Sequence, residues 1–184
     1  MGLLNTPAQA GGTVWATAGN GQVAGYGQPH TTTVLPSCQH EPIVIQADGL
    51  CEPRNPGGWA CWAWVAQAED AQEIASGRGC VGHGPGATNN VAEYQAVLAA
   101  LDWAIAHGLR DILLQTDSRL VVEQVAGRWA CNAAHLRGLR DEVRARLAGC
   151  TGRLEWVPRE QNTRADALSR LAYADARRGG CHHG

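Results

Sequence analysis

The rhythm of apolar and polar positions changes along this chain, and the changes mark its parts. Residues 1 to 40 are rich in Gly, Thr, Gln and Ala and sustain a period of neither 2 nor 3.6. Such a segment buries too little apolar surface to be a domain, so it is expected as a flexible or loosely docked extension. From Pro42 the pattern sharpens. Ile43-Val44-Ile45 ahead of Asp48-Gly49 predicts a buried strand ending in a turn. Gly58 to Gln67 alternates Trp, Cys, Trp and Val with Ala, which suits a second strand. Glu73 to Val81 suits a third, joined to the second through a turn at Glu69-Asp70 and followed by a glycine-rich loop from Gly82 to Gly86.

Helical spacing then takes over. Apolar residues at Val91, Tyr94, Val97, Leu98, Leu101 and Ile105 predict a helix from Asn90 to Ala106, closed by His107-Gly108. Ile112-Leu113-Leu114 reads as a short buried strand, and Ser118 to Ala126 and His135 to Leu147 as helices. Leu154 to Val157 reads as a strand and Thr163 to Ala176 as a last helix. Three strands in a meander, then helix, strand, helix, helix, strand, helix, predict an α/β domain over residues 41–176. Its sheet is mixed, with helices covering the faces. The tail from Arg177 to Gly184 is expected to be disordered.

Length and composition narrow the classes. The 184 residues suit one ordinary domain, and an apolar content of 45% supports a sizeable core. No apolar run is long enough for a membrane span. The first charged residue is Glu41, so a positive start followed by a solid apolar stretch is missing, and a cytoplasmic protein is expected. The seven cysteines are odd in number, widely spread and without a Cys-x-x-Cys pair, which in a reducing compartment suggests small apolar residues rather than a disulfide framework. The net charge of −2 hides a split. Residues 1–109 hold two Arg against eight Asp and Glu, whereas residues 110–184 hold thirteen Arg against nine. There is no lysine. Guanidinium groups are good phosphate partners, so a basic face in the second half is one reading, and solvated helix faces are the other.

Four acids carry the candidate chemistry, although each has an ordinary alternative. Asp48 precedes Gly49, a common turn pair. Glu93 lies three residues after Asn90 and Asp166 three after Thr163, the spacing of a capping box. Asp117 stands between a strand and a helix, an N-cap position. Taken together, two carboxylates end buried strands and two lie in the first turns of helices, and in a mixed sheet such strand ends and helix starts can gather at one edge. Packed together they repel unless cations hold them. Hard divalent ions with oxygen ligands fit, and two such ions roughly 4 Å apart activate a water and stabilise the leaving oxygen of a phosphodiester.

The run from Asp48 to Trp59, then Thr88-Asn89-Asn90-Val91-Ala92-Glu93-Tyr94, then Thr116-Asp117-Ser118, then Trp156 to Leu168, resembles type 1 ribonuclease H, in particular its short archaeal and bacterial forms. The resemblance covers residues 42 to 174 in the right order. It implies a ribonuclease H-like fold with a five-stranded mixed sheet, three strands of it antiparallel. It also implies an endonuclease that hydrolyses the RNA strand of RNA–DNA hybrids with two Mg²⁺ or Mn²⁺ ions, leaving 3′-hydroxyl and 5′-phosphate ends. Asp48, Glu93, Asp117 and Asp166 match the family's metal-binding catalytic carboxylates. Asn55, Thr88, Asn89, Asn90 and Ser118 match positions that touch substrate. Asn side chains and backbone amides suit a 2′-hydroxyl in the minor groove. For Asn89-Asn90 helix capping, and for Asn55 a turn before Pro56, are the alternatives.

The chain departs from the family in three places. The loop before the last carboxylate, Arg159-Glu160-Gln161-Asn162, lacks the histidine many members carry; Arg159 could steer phosphate, and Glu160 could carry a proton or simply be solvated. A Lys-rich helix is missing, and only Gly127 to Asn132 separates the middle helices, with Trp129 either stacking on the DNA strand or anchoring its loop. One extra residue lies between Asp48 and Asn55 compared with the commonest spacing. Cys38-x-His40 and Cys181-His182-His183 lack standard zinc-ligand spacing, and His83 suits a loop. The expected partner is an RNA–DNA hybrid, with no membrane and a monomeric chain. An inert nucleic-acid or protein-binding module of the same fold, or an enzyme acting on double- or single-stranded RNA, are the competing readings.

Overall fold

The computed structural model describes residues 42–68 and 70–179. The expected extension with Cys38 and His40, Glu69 of the expected turn, and Cys181-His182-His183 lie outside the described residues. The elements are β1 (Ile43–Glu52), β2 (Trp59–Gln67), β3 (Glu73–His83), α1 (Asn89–Ala106), β4 (Ile112–Thr116), α2 (Arg119–Val125), α3 (Ala134–Ala148), β5 (Arg153–Trp156) and α4 (Thr163–Arg177). A 3-10 turn at Arg159–Gln161 precedes α4. The strands form one five-stranded sheet in the order β3-β2-β1-β4-β5. β1 is antiparallel to β2, β2 to β3, and β1, β4 and β5 run parallel. This is the mixed sheet that the element order predicts.

Period-2 alternation sends the two sets of strand side chains to opposite layers. Ile45, Ala47, Trp64, Ala66 and Leu114 pack with α1, which in turn packs on Leu136 and Val143 of α3. On the other face Ala63 and Val65 meet Leu168 of α4, and Cys61 meets Ala172 and Ala176. α1 is apolar around most of its circumference because it lies between sheet and helix; its alanines at 92, 96, 100 and 104 are fully buried. Each fully buried large side chain, such as Ile45 or Leu101, contributes about 1.5–3 kcal/mol. β3 makes room for the tryptophans opposite it. Trp64 pairs with Gly77 and Trp62 with Gly79, and a Cβ at either glycine would come within 2.6 Å of the indole.

Several local expectations are corrected. Asp48-Gly49 is not a turn: β1 continues to Glu52 because β2 pairs with it as far as Glu52↔Trp59. β3 extends through Gly82 to His83, whose ring lies against Trp59 at 4.9 Å, so His83 is a strand residue. Thr88, not Asn90, caps α1, its hydroxyl accepting from the Val91 amide at 3.2 Å. Ile105 is 45% exposed despite its place in the apolar repeat. Leu109, whose amide returns to the Ala104 carbonyl at 2.9 Å, packs on the core after the last turn instead. Trp129 is 47% exposed and so does not anchor its loop in the core. No helix among the described residues is long and apolar enough to cross a membrane.

Candidate functional site

The site begins where the parallel ladder stops. The last β1–β4 pair is Ala47↔Thr116, so Asp48 and Asp117 are the next residues on two neighbouring parallel strands. Asp48 therefore ends the ladder with β4 rather than the strand itself. Gly49 then lets α1 approach. A Cβ built there would lie 2.2 Å from the Glu93 amide nitrogen, so only glycine allows the helix to bring Glu93 beside the strand. The fourth carboxylate, Asp166, comes from the first turn of α4. All four line one cleft of about 260 Å³, together with Glu52, Asn89, Arg159 and Arg170.

Each carboxylate has partners. Ser169, fully buried on α4, donates from its hydroxyl to Asp48 Oδ2 at 2.5 Å. Asn89 Nδ2 donates to Glu93 Oε1 at 2.7 Å, and the Ser118 hydroxyl donates to Glu93 Oε2. Asn162 is fully buried and ties the strand ends together, its Nδ2 donating to the Ala47 carbonyl at 3.0 Å and to Asp117 Oδ1 at 3.3 Å. The Trp156 indole donates to the Asp117 carbonyl at 3.1 Å. Asp166 receives the guanidinium of Arg170 at 2.9 Å and also that of Arg159.

Electrostatics separates these groups. Burial pushes the Asp48 carboxyl up to about 7 against the pull of the Ser169 hydroxyl, and the charges of Asp117 and Asp166 push the same way. Burial likewise pushes Glu93 up to about 7 against the Ser118 hydroxyl, with Asp117 and Asp48 adding to the rise. The Arg170 guanidinium, helped by Arg159, holds Asp166 below the usual carboxylate range.

Carboxyls raised by burial and by each other in one cleft are ones that a cation would let ionise together. The donors are all carboxylate oxygens, which suits hard ions such as Mg²⁺ or Mn²⁺. As the side chains stand, no three Asp, Glu, His or Cys among the described residues are arranged to hold one ion. In this arrangement both Glu93 oxygens, one Asp48 oxygen and the Asp166 carboxylate accept from protein donors. Release of the two arginines from Asp166 is the least costly change, because both are largely exposed.

The other predicted residues take distinct places. Asn55 is exposed in the β1–β2 connection and its Oδ1 accepts from the Asn89 amide at 3.0 Å, so it joins that connection to the start of α1. Thr88, Asn89 and Asn90 are half-buried at the start of α1. Ser118 is buried and caps α2, so its hydroxyl acts on Glu93 and the helix rather than facing outward. Arg159 is exposed and lines the cleft, whereas Glu160 is exposed and does not line it. The capping-box readings of Glu93 and Asp166 fail: Glu93 lies beyond the first turn of α1, and no side chain caps α4. Ser169, Asn162 and Arg170 were not singled out from sequence. Arg170, four residues after Asp166 on a predicted helix, carried a readable signal; Asn162 and Ser169 act through tertiary contacts that spacing does not show.

The chain is similar to known proteins in sequence and in fold. A family described as reverse transcriptase-like matches residues 57–172. Ribonuclease HI of Halobacterium salinarum is 44% identical over 126 residues, covering 66% of this chain and 60% of that protein. A crystal structure of RNase H1 from that archaeon is 38% identical with a TM-score of 0.67, covering 73% of this chain and 98% of that one. A bifunctional protein of Mycobacterium tuberculosis is 40% identical over 129 residues, covering 69% of this chain but only 34% of its own length. The chain thus spans about a third of the mycobacterial relative. LC11-RNase H1, solved in complex with RNA/DNA hybrid, is 28% identical with a TM-score of 0.64, covering 73% of this chain and 98% of that one.

Proposed function

The chain belongs to the type 1 ribonuclease H family, of the short archaeal and bacterial kind, and on that premise we propose that it is an endonuclease hydrolysing the RNA strand of RNA–DNA hybrids. The observation that carries the reading is the meeting of Asp48 and Asp117, one step past the last parallel pair, with Glu93 and Asp166 in one cleft. These four carboxylates would hold two Mg²⁺ or Mn²⁺ ions. Bound there, they would lower the pKa of a water and offset charge at the leaving oxygen, a reaction that would leave 3′-hydroxyl and 5′-phosphate ends.

The remaining residues position and recognise. Ser169 holds one oxygen of Asp48, Asn162 holds Asp117, and Asn89 with Ser118 holds Glu93. Asn55, Thr88, Asn89 and Asn90 cluster at the start of α1, where amides suit the 2′-hydroxyls of an RNA strand lying in a wide minor groove. Arg159, exposed at the cleft and paired with Asp166, would exchange that carboxylate for a backbone phosphate. The hybrid complex of the LC11 relative supports the substrate class.

The test is cleavage of end-labelled RNA–DNA hybrid, double-stranded RNA, single-stranded RNA and double-stranded DNA, each with Mg²⁺, Mn²⁺ or chelator, beside Asp117→Asn. Metal-dependent cutting of the hybrid's RNA strand alone is expected, with loss in the variant. Tight hybrid binding without cutting under any metal would replace the enzyme by an inert binding module.

A further inference from the structure

The cleft is lined by five carboxylates, Glu52 standing there with Asp48, Glu93, Asp117 and Asp166. Glu52 is the last residue of β1. On that strand Gly49 faces α1, against the backbone of Ala92 and Glu93, and Cys51 lies in one cluster with Ala92. Alternation therefore turns Asp48, Leu50 and Glu52 to the α4 side. There Asp48 meets Ser169, and Leu50 packs against the cluster of Cys61, Ala172 and Ala176. Glu52 is exposed, and its carboxylate makes no hydrogen bond or ion pair among the described residues. Its charge acts on Arg170, whose guanidinium is raised above its ordinary pKa first by the hydrogen bond to Asp166 and then by the charges of Asp166, Asp48 and Glu52. Arg170 covers both oxygens of Asp166, its Nε donating to Oδ2 at 2.9 Å and an amino group to Oδ1 at 3.3 Å. Arg159 donates to Oδ1 as well. For Asp166 to hold a cation these bonds must open, and a guanidinium left beside the ion would be repelled by it.

Resting on the metal-dependent reading above, we propose that Arg170 is a positioning residue that covers Asp166 in the metal-free protein and passes to Glu52 when Asp166 turns to a divalent cation. Glu52 thereby sets how readily the cleft loads. Arg159 has a substrate phosphate to turn to; Arg170 has Glu52. Both Arg170 and Glu52 are exposed, so exchanging one carboxylate for the other costs little. The planar guanidinium pairs equally well with either carboxylate. Without Glu52, the guanidinium falls back on Asp166 and competes with the ion. Without Arg170, Glu52 has no group to receive, and its effect on loading disappears.

Binding of Mn²⁺ to the full-length protein is followed through the paramagnetic resonance signal of the free ion, which falls as the ion is bound. Wild type is compared with E52Q, R170Q, R170K and the E52Q/R170Q double variant, each checked for native circular dichroism. E52Q is expected to weaken Mn²⁺ binding about threefold to fivefold, the scale of an exposed ion pair. R170Q is expected to tighten it by a similar factor, because a competitor for Asp166 is gone, with R170K between R170Q and wild type. Adding E52Q to R170Q is expected to leave the affinity nearly unchanged, the two effects being one coupled pair. Equal weakening by E52Q with and without Arg170 would mean that Glu52 acts on the ion directly and would overturn the proposal. An R170Q protein no tighter than wild type, or an E52Q protein no weaker, would overturn it too. Hybrid cleavage by the wild type is measured alongside. Cleavage with Mn²⁺ but no coupling leaves the nuclease standing and ends the handover; coupling without cleavage does the reverse; a wild type that neither binds Mn²⁺ nor cuts ends both.

Discussion

Removing divalent cations should make the protein less stable at pH 8 than at pH 5, and the cleft sets the size of the effect. Asp48 is 5% exposed and its carboxyl rises from 3.8 to about 7; Glu93 rises from 4.5 to about 7. In both cases burial is the largest cause. At about 1.36 kcal/mol per pH unit, these rises correspond to roughly 4 and 3 kcal/mol. The two groups push on each other, so the penalties overlap and the pair costs on the order of 5 kcal/mol when ionised. That is a large part of the total stability of about 5–15 kcal/mol expected for a domain. In the unfolded chain both groups lose their protons near pH 4, whereas the folded protein keeps them until about 7. Between those limits the folded state binds more protons, so stability is greatest below the unfolded pKa and falls as pH rises through 7. The carboxyls lowered by arginines, such as Asp166, act with the opposite sign, but below about pH 4 and outside this window.

Urea denaturation of chelated protein at pH 5 and pH 8 measures this directly. The midpoint should drop at pH 8, and millimolar Mn²⁺ should recover most of the loss at pH 8 while doing little at pH 5, where protons hold the ligands. Asp48→Asn should flatten the pH dependence and remove most of the Mn²⁺ effect. A chelated wild-type protein at least as stable at pH 8 as at pH 5 would refute the reasoning, because the two carboxyls would then carry no burial penalty.

Three substitutions probe how the site is held. Gly49→Ala places a methyl against the α1 backbone, which cannot give way as a flexible side chain would; a loss of about 3 kcal/mol or more in urea melts and more than a tenfold drop in cleavage are expected. Ser169→Ala removes the hydroxyl from Asp48; stability should fall by about 1–3 kcal/mol and the Mg²⁺ concentration for half-maximal cleavage should rise, with Ser169→Thr closer to wild type. Arg159→Ala frees Asp166 from one of its two guanidiniums, so hybrid cleavage should need less Mg²⁺ while KM for the hybrid rises severalfold and becomes less dependent on salt.

The fold was legible in the sequence because its elements are long and their periods distinct. β2 alternates cleanly, and α1 repeats its apolar residues for more than four turns. The boundaries were less legible where a tertiary contact overrode a local signal. Asp-Gly is a turn pair in isolation, yet at Asp48-Gly49 the chain stays extended, because β2 satisfies the backbone beyond the point where β4 stops and α1 fills the space that a side chain would take. Likewise Asn90 and Glu93 have the spacing of a cap, but Thr88 already supplies the oxygen that the first turn needs. Glu93 is thereby left to Asn89 and Ser118.

The sequence motifs brought the four carboxylates forward as candidates and the fold brings them into one cleft, although Asp48 lies inside β1 and Glu93 beyond the first turn of α1. Their supports were not singled out. Ser169 is three residues from Asp166, and helical spacing places it near that acid; nothing local says that its hydroxyl reaches Asp48 across the layer between α4 and β1. Asn162 reads as an ordinary residue before a helix, yet it is fully buried and bridges the ends of two parallel strands. Motif spacing singles out the candidate carboxyl oxygens. What holds those atoms is set by contacts between layers, where any small donor of the right reach suffices, so those positions leave little trace in a single sequence.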